Sequence, residues 1–317
     1  RKEETMPKIE YVPKNFSADR LQMIGKVNGV VSEYQQQGYS LTLRQVYYQM
    51  VARDIIPNNM RSYKNLGNLI NDARLAGLID WLAIEDRTRN LRGNSHWAKP
   101  GSVIESAAYS YRRDHWEGQP NYVEVWVEKD ALIGIVGQIC GKLDVNHFSC
   151  RGYVSQSEMW AAARRLHRRQ ESGQRVVLLH LGDHDPSGKD MSRDIQERLV
   201  TFETYGVTFK RLALNMDQVE LYNPPPNPAK LSDSRASGYI EEYGDECWEL
   251  DALEPKVISD LISKNVEKYR DDTLYNAVVE REAEERRQLD DLAEHYEAVA
   301  ENWEEIKERY VYGDYED

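Results

Sequence analysis

Hydrophobic positions follow two rhythms along the chain, and the rhythm changes near residue 121. Before that point the spacing is helical. Leu21, Ile24, Val27 and Val31 recur one turn apart up to the polar run Gln35-Gln36-Gln37-Gly38. Thr42-Leu43-Arg44-Gln45 then reads as a capping box that opens a helix running through Val51. Pro57-Asn58-Asn59 breaks that helix, and Leu66, Leu69, Ile70 and Ala73 form the apolar stripe of another over 60–75, ended by Gly77. Residues 81–89 look strand-like and finish in basic side chains. Three helices followed by a basic strand hairpin predict a winged helix-turn-helix, with the 60–75 helix as groove reader. The competing reading is a helical subdomain whose arginines are simply solvated.

Beyond a connector with one short helix near 104–115, the pattern becomes β-rich. Runs at 123–127, 148–150, 176–181 and 207–214 alternate with helical stretches at 131–143, 156–171 and 187–204. Such alternation predicts an α/β architecture built on a parallel sheet, whose sites lie at the carboxyl ends of its strands. The three prolines at 224–226 mark an irregular loop over 223–238, and 254–310 is helical in period and densely charged, without a sustained heptad. The expected organisation is a flexible arm (1–16), a DNA-binding helical domain (17–95), a connector (96–121), a parallel-sheet domain (122–253) and an acidic helical C-terminal region (254–317).

Composition changes this picture in two places. The 317 residues carry 41 basic and 54 acidic side chains, a formal charge of −13, which argues against a polyanionic partner. From Glu254 onward, however, 20 acidic residues face 9 basic ones, so the tail holds most of the imbalance, while residues 39–100 carry 9 basic against 5 acidic residues. A local DNA-contacting surface is therefore compatible with the overall charge. Three widely separated cysteines, Cys140, Cys150 and Cys247, form neither a disulfide framework nor a zinc knuckle by spacing. Apolar runs are short and no charged-then-apolar leader is seen, so the expectation is a cytoplasmic protein with no membrane segment.

The candidate chemistry sits at two strand ends. Glu128 closes the run Val125-Trp126-Val127, and Asp183 and Asp185 follow a later run in Gly182-Asp183-His184-Asp185-Pro186-Ser187-Gly188. Should those strands be neighbours, three carboxylates converge where only a cation can relieve their repulsion, and hard oxygen ligands at a strand end suit Mg²⁺. Taken singly, an Asp-x-Asp before Pro-Ser-Gly is a common capped turn. His184 alternates away from the aspartates and reads as packing, and the basic run Arg164, Arg165, His167, Arg168, Arg169 reads as a solvated face more readily than as a phosphate track.

These motifs resemble the Toprim fold of topoisomerases, primases and related nucleases. More narrowly, Val127-Glu128-Lys129-Asp130-Ala131 and the Gly182–Gly188 segment are similar to motifs of the topoisomerase VI A subunit and its meiotic double-strand-break relatives, with Cys150-Arg151-Gly152-Tyr153 as the turn between them. The resemblance implies a winged helix joined to a Rossmann-like Toprim domain, and Mg²⁺ held by Glu128, Asp183 and Asp185. It also implies a nucleophilic tyrosine in an Arg-x-x-aromatic-Tyr setting. Arg44-Gln45-Val46-Tyr47-Tyr48 matches, with Tyr48 as nucleophile and Arg44 one turn earlier, able to stabilise phenolate or hold the phosphate. Since the chain has 20 tyrosines, a packed Tyr48 is the plain alternative. Trp248-Glu249-Leu250-Asp251 echoes an acidic segment of that family, which would bring Glu249 or Asp251 toward the metal, although a helix start explains it equally.

The expected activity is Mg²⁺-dependent cleavage of double-stranded DNA through a 5′-phosphotyrosyl link, with Glu128 among the catalytic groups. The resemblance implies a nucleoid-associated homodimer in which the tyrosine of one protomer faces the metal of the other. It leaves room for a separate ATPase subunit, since no GxxxxGK[ST] occurs here; Gly137–Lys142 has the wrong spacing. The alternatives are hydrolysis by metal-activated water, as in mobile-element or phage-defence nucleases, a non-catalytic DNA-binding subunit, or a Toprim protein acting on RNA or making primers.

Overall fold

The computed structural model describes residues 8–85, 94–229, 233 and 235–310. In chain order its elements begin with α1 (Ala18–Gln36), β1 (Leu41–Thr42), α2 (Leu43–Ala52), α3 (Met60–Leu75), β2 (Ile84–Glu85) and α4 (Pro100–Ser110). The sheet region comes next with β3 (Asn121–Val127), α5 (Ile133–Leu143), β4 (Asn146–Ser149), α6 (Gln156–Glu171), β5 (Arg175–Leu181), α7 (Pro186–Thr201) and β6 (Thr208–Ala213). After it come α8 (Met216–Tyr222), β7 (Asn227–Pro228), α9 (Ala236–Tyr243), β8 (Glu246–Cys247), α10 (Pro255–Val266), α11 (Asp272–Glu294), α12 (Tyr296–Glu301) and α13 (Trp303–Tyr310). Two compact units emerge, one made of 1–90 with 120–269, the other of 91–119 with 270–317.

The first unit is α/β. Its principal sheet is four-stranded and parallel, ordered β4-β3-β5-β6. Every residue of β3 is buried, as expected for a strand covered on both faces. Trp126, Tyr122, Val176 and Leu178 pack with Met159 and Leu166 of α6 and Ile195 and Leu199 of α7 on one face. In register, Val127 of β3 pairs with Leu181 of β5, so the residues after these two strands emerge side by side.

A second core joins α1, α2 and α3 through Val27, Val31, Val46, Met50, Leu69 and Ile70, and Ala252 belongs to the same cluster. Its helices start where the sequence indicates. Thr42 and Gln45 complete the capping box, and the Asn59 side chain accepts from Ser62 N–H at the head of α3. The expected strand hairpin is described only in part. Only Ile84–Glu85 is extended, and it pairs in parallel with Leu41–Thr42, whereas 86–93 lie outside the described residues. The pairing is parallel because α2 and α3 separate the two strands and return the chain in the original direction.

The loop expected over 223–238 also holds the short strand β7, which pairs antiparallel with β8, and the start of α9. Of the expected acidic tail, α10 belongs to the first unit, where it packs on α5. In the second unit α4 packs on α11. There His115 Nε2 lies 2.7 Å from Glu282, and Arg113 pairs with Glu285 at 2.8 Å. Among the described residues no helix is long and apolar enough to cross a membrane.

Candidate metal centre

The register of β3 and β5 brings Glu128 beside Gly182 and Asp183. Glu128 N–H donates to Leu181 O at 2.9 Å, and the Glu128 carboxylate accepts the Asp183 N–H at 2.8 Å. Two glycines make this approach feasible. A Cβ on Gly182 would lie 2.9 Å from Glu128 Oε2, and one on Gly188 would lie 3.0 Å from it while driving into the Asp183 carbonyl. From below, Arg211 on β6 donates to Gly182 O at 3.0 Å, Gly188 O at 2.9 Å and also Asp183 O, so the turn is fixed from both sides.

Asp183 is the hub. Leu250 N–H donates to its Oδ1 at 2.7 Å, and Lys129 Nζ lies 2.8 Å from its Oδ2. His184 and Trp248 exchange backbone hydrogen bonds at 2.8 and 2.9 Å, which seats the 248–251 segment against the turn. In consequence Asp183, Glu249 and Asp251 offer oxygens within 4.8 Å of one another, a spacing that one cation can bridge. Asp251 also lies in a 3-10 turn, Leu250–Ala252, so a helix start and a carboxylate cluster coexist there.

Of the three carboxylates expected to share an ion, Glu128 meets the Asp183 backbone, and Asp183 alone belongs to the tight group with Glu249 and Asp251. Asp185 Oδ1 accepts Gly188 N–H at 2.6 Å and caps α7, and Glu249 and Asp251 complete the tight group around Asp183. Their signal in the sequence was the acidic segment after Trp248; their long-range docking through His184 had none.

Two cations stand in this group. Lys129 Nζ contacts Asp183, Glu249 and Asp251, the last at 3.1 Å. Arg44 pairs with Glu249, and its Nε lies 2.8 Å from Asp251 Oδ2 without the alignment of a hydrogen bond. Burial raises the Asp183 carboxyl well above the usual range, with Lys129 opposing and Glu128 adding to the rise. Burial likewise raises Glu128, and Asp185 reinforces it. At Glu249 burial is outweighed by Lys129 and Arg44, which hold it down at about 2.

Tyr48 lies beside this group in the same chain. Its side chain is only 4% exposed, and Arg44 sits 5.7 Å from its ring centroid. Burial first, then Glu249 and Asp251, raise its phenol above the ordinary value.

His184 is fully buried among Tyr239, Tyr243 and Trp248, which fits packing. The basic face of α6 is partly consumed: Arg165 grips Glu124, and Arg169 lies 4.4 Å over the Tyr122 ring. Comparison with protein-family models, curated proteins and solved structures returns no match for this chain.

Proposed function

We propose that this chain cleaves DNA strands in a Mg²⁺-dependent reaction, as a Toprim protein of the topoisomerase VI A kind. The observation that carries the reading is the meeting of Glu128 and Asp183 at the carboxyl ends of adjacent parallel strands, where Glu249 and Asp251 join them. The donor set fits a hard divalent ion. Asp183, Glu249 and Asp251 supply only carboxylate oxygens, and the Lys129 ammonium already stands among them as a substitute cation. Glu128 lies at the same rim. A divalent ion there would polarise the scissile phosphate and neutralise charge developing on it.

The chain's own groups supply positioning. Arg44 shares Glu249 and Asp251 with Lys129 and flanks Tyr48, so it is placed to hold a phosphate beside that phenol. In transesterification the Tyr48 oxygen takes the phosphate and the 3′-hydroxyl leaves. DNA would be read by α1–α3 as a winged helix-turn-helix. On α3 the solvent-exposed residues Arg61, Lys64, Asn65, Asn68 and Asn71 are of the types that bond phosphates and base edges. Paired cuts by a homodimer, a nucleoid location and a separate ATPase subunit belong to the same reading.

One observation favours hydrolysis by water as the second reading: Tyr48 is buried and its phenol is harder to ionise than usual. Incubating supercoiled plasmid with Mg²⁺ separates the two. Nicked or linear product carrying covalent protein, lost in Tyr48→Phe, supports transesterification. Product without adduct that survives Tyr48→Phe and disappears in Asp183→Asn supports hydrolysis. DNA binding with no product under any divalent ion would overturn both and leave a binding subunit.

A further inference from the structure

Lys129 directly succeeds Glu128, at the mouth of β3, yet its side chain turns toward carboxylates from two distant segments. Its Nζ lies 2.8 Å from Asp183 Oδ2 and 3.1 Å from Asp251 Oδ1, and it also pairs with Glu249. These are the three residues whose oxygens cluster within 4.8 Å. An ammonium and a divalent ion cannot both occupy that space. Exchange of one cation for the other keeps positive charge against all three carboxylates.

Asp251 shows why the arrangement is poised. Its side chain is fully buried, and its Oδ2 faces the Arg44 Nε at 2.8 Å without a formed hydrogen bond. A buried carboxylate oxygen left in that state gains from a ligand with no directional demand.

We infer that Lys129 is a tethered counter-ion which holds the carboxylates together in the ion-free chain and is displaced when a divalent ion binds, so that it sets the affinity of the site for metal. The inference rests on the proposed metal-dependent reading, and the experiment keeps their failures apart.

The full chain, without DNA, is titrated with Mn²⁺ by calorimetry and by the loss of free-ion paramagnetic signal. Lys129→Met keeps the length and removes the charge; its Mn²⁺ affinity is expected to rise about tenfold or more, with Lys129→Arg close to the parent. An affinity unchanged or weakened in Lys129→Met overturns the inference. Asp183→Asn should lose the binding. If Asp183→Asn and the parent take up Mn²⁺ alike, or neither does, the metal reading itself fails and the inference falls with it. A second measurement needs no variant. Amine-directed acylation of the parent chain, read by mass spectrometry at Lys129, should increase severalfold on saturation with Mn²⁺ relative to chelator, with other lysines as internal controls. Equal or lower modification of Lys129 overturns the displacement.

Discussion

Strand β3 and its end carry two buried carboxylates four residues apart, and their surroundings are opposite in kind. Glu124, in mid-strand, is gripped by Arg165 at 2.6 and 2.9 Å and accepts from Tyr122 OH at 2.7 Å and Trp126 Nε1 at 2.9 Å. Burial would raise its carboxyl, and Arg165 and these donors outweigh it and lower it. Glu128, at the strand end, accepts the Asp183 N–H, and burial holds its carboxyl above the usual range with Asp185 adding to the rise. The first carboxylate has its partners; the second sits in an acidic group with fewer cations than carboxylates. Burial with matched partners makes structure, and burial with a charge mismatch makes a place where a cation binds.

Exchanging one carboxylate in each region puts that contrast at risk. Asp183→Asn is expected to give the largest effect, a drop of roughly 10²- to 10³-fold or more in plasmid cleavage, while the chain stays folded by circular dichroism. Should Asp183→Asn cleave like the parent, the strand-end group is not the reacting centre. Glu124→Ala should do the reverse. It leaves Arg165 and two buried donors without their acceptor, and urea denaturation should show a loss of about 3–5 kcal/mol. Mn²⁺ uptake by the folded fraction should be unchanged. Weakened uptake with unchanged stability would invert the assignment of the two carboxylates.

The sequence exposed the two regions unequally. Periodicity made α2, α3 and α6 readable, and the Thr42–Gln45 capping box marked the start of α2, while Asn59 and Ser155 supply the side-chain oxygens that cap α3 and α6 in the fold. The parallel sheet was readable because β-rich runs alternate with helices, and that placed Glu128 and Asp183 at strand ends. Helices α8 and α9 were not, being short elements in or beside a proline-marked stretch, although Asn215 and Gln218 do form a capping box. Of the strand expected over 81–89, Ile84–Glu85 pairs with β1, a pairing across helices that local pattern cannot reveal, and 86–89 lie outside the described residues. Glu249 and Asp251 reach Asp183 through the bridge between His184 and Trp248 and the Leu250 N–H that Asp183 accepts. The partners of Glu124 were equally hidden, since Arg165 is one arginine in a run that reads as solvated.

Acidification probes the layer beneath both carboxylates. His180 on β5 is fully buried, lies 3.0 Å from Ser192 Oγ, and is pushed down to about 3 by burial, with Arg211 adding to the fall. His184 is lowered to about 4, again mainly by burial. A histidine held neutral in the fold while the unfolded chain takes up a proton makes stability fall as pH drops below the unfolded value of 6.5 and go on falling to about 3. Between pH 7 and pH 5, His180 alone should cost about 2 kcal/mol. The lowering of Glu249 to about 2 takes effect only beneath its ordinary value of 4.5, whereas the raised carboxyls of Asp183 and Glu128 take up protons in the fold as pH falls and oppose the histidines, so the His180 share is the part of the pH dependence that disappears in His180→Gln. A pH dependence between pH 7 and pH 5 that is the same in His180→Gln and the parent in urea titrations would show that His180 is not held neutral.

The smallest expected effect comes from the cation that completes Glu124. Arg165→Lys keeps the charge but replaces two guanidinium bonds with a single ammonium contact, so the loss should be about 1 kcal/mol in urea titrations. A fork in two directional bonds belongs to a carboxylate that never exchanges its partner. Lys129 is the opposite choice, a point charge on a flexible stem touching three carboxylates, which can leave without breaking a fixed geometry. If Arg165→Lys cost as much as Glu124→Ala, the fork itself would be holding the strand, and the contrast would rest on hydrogen-bond geometry instead of charge balance.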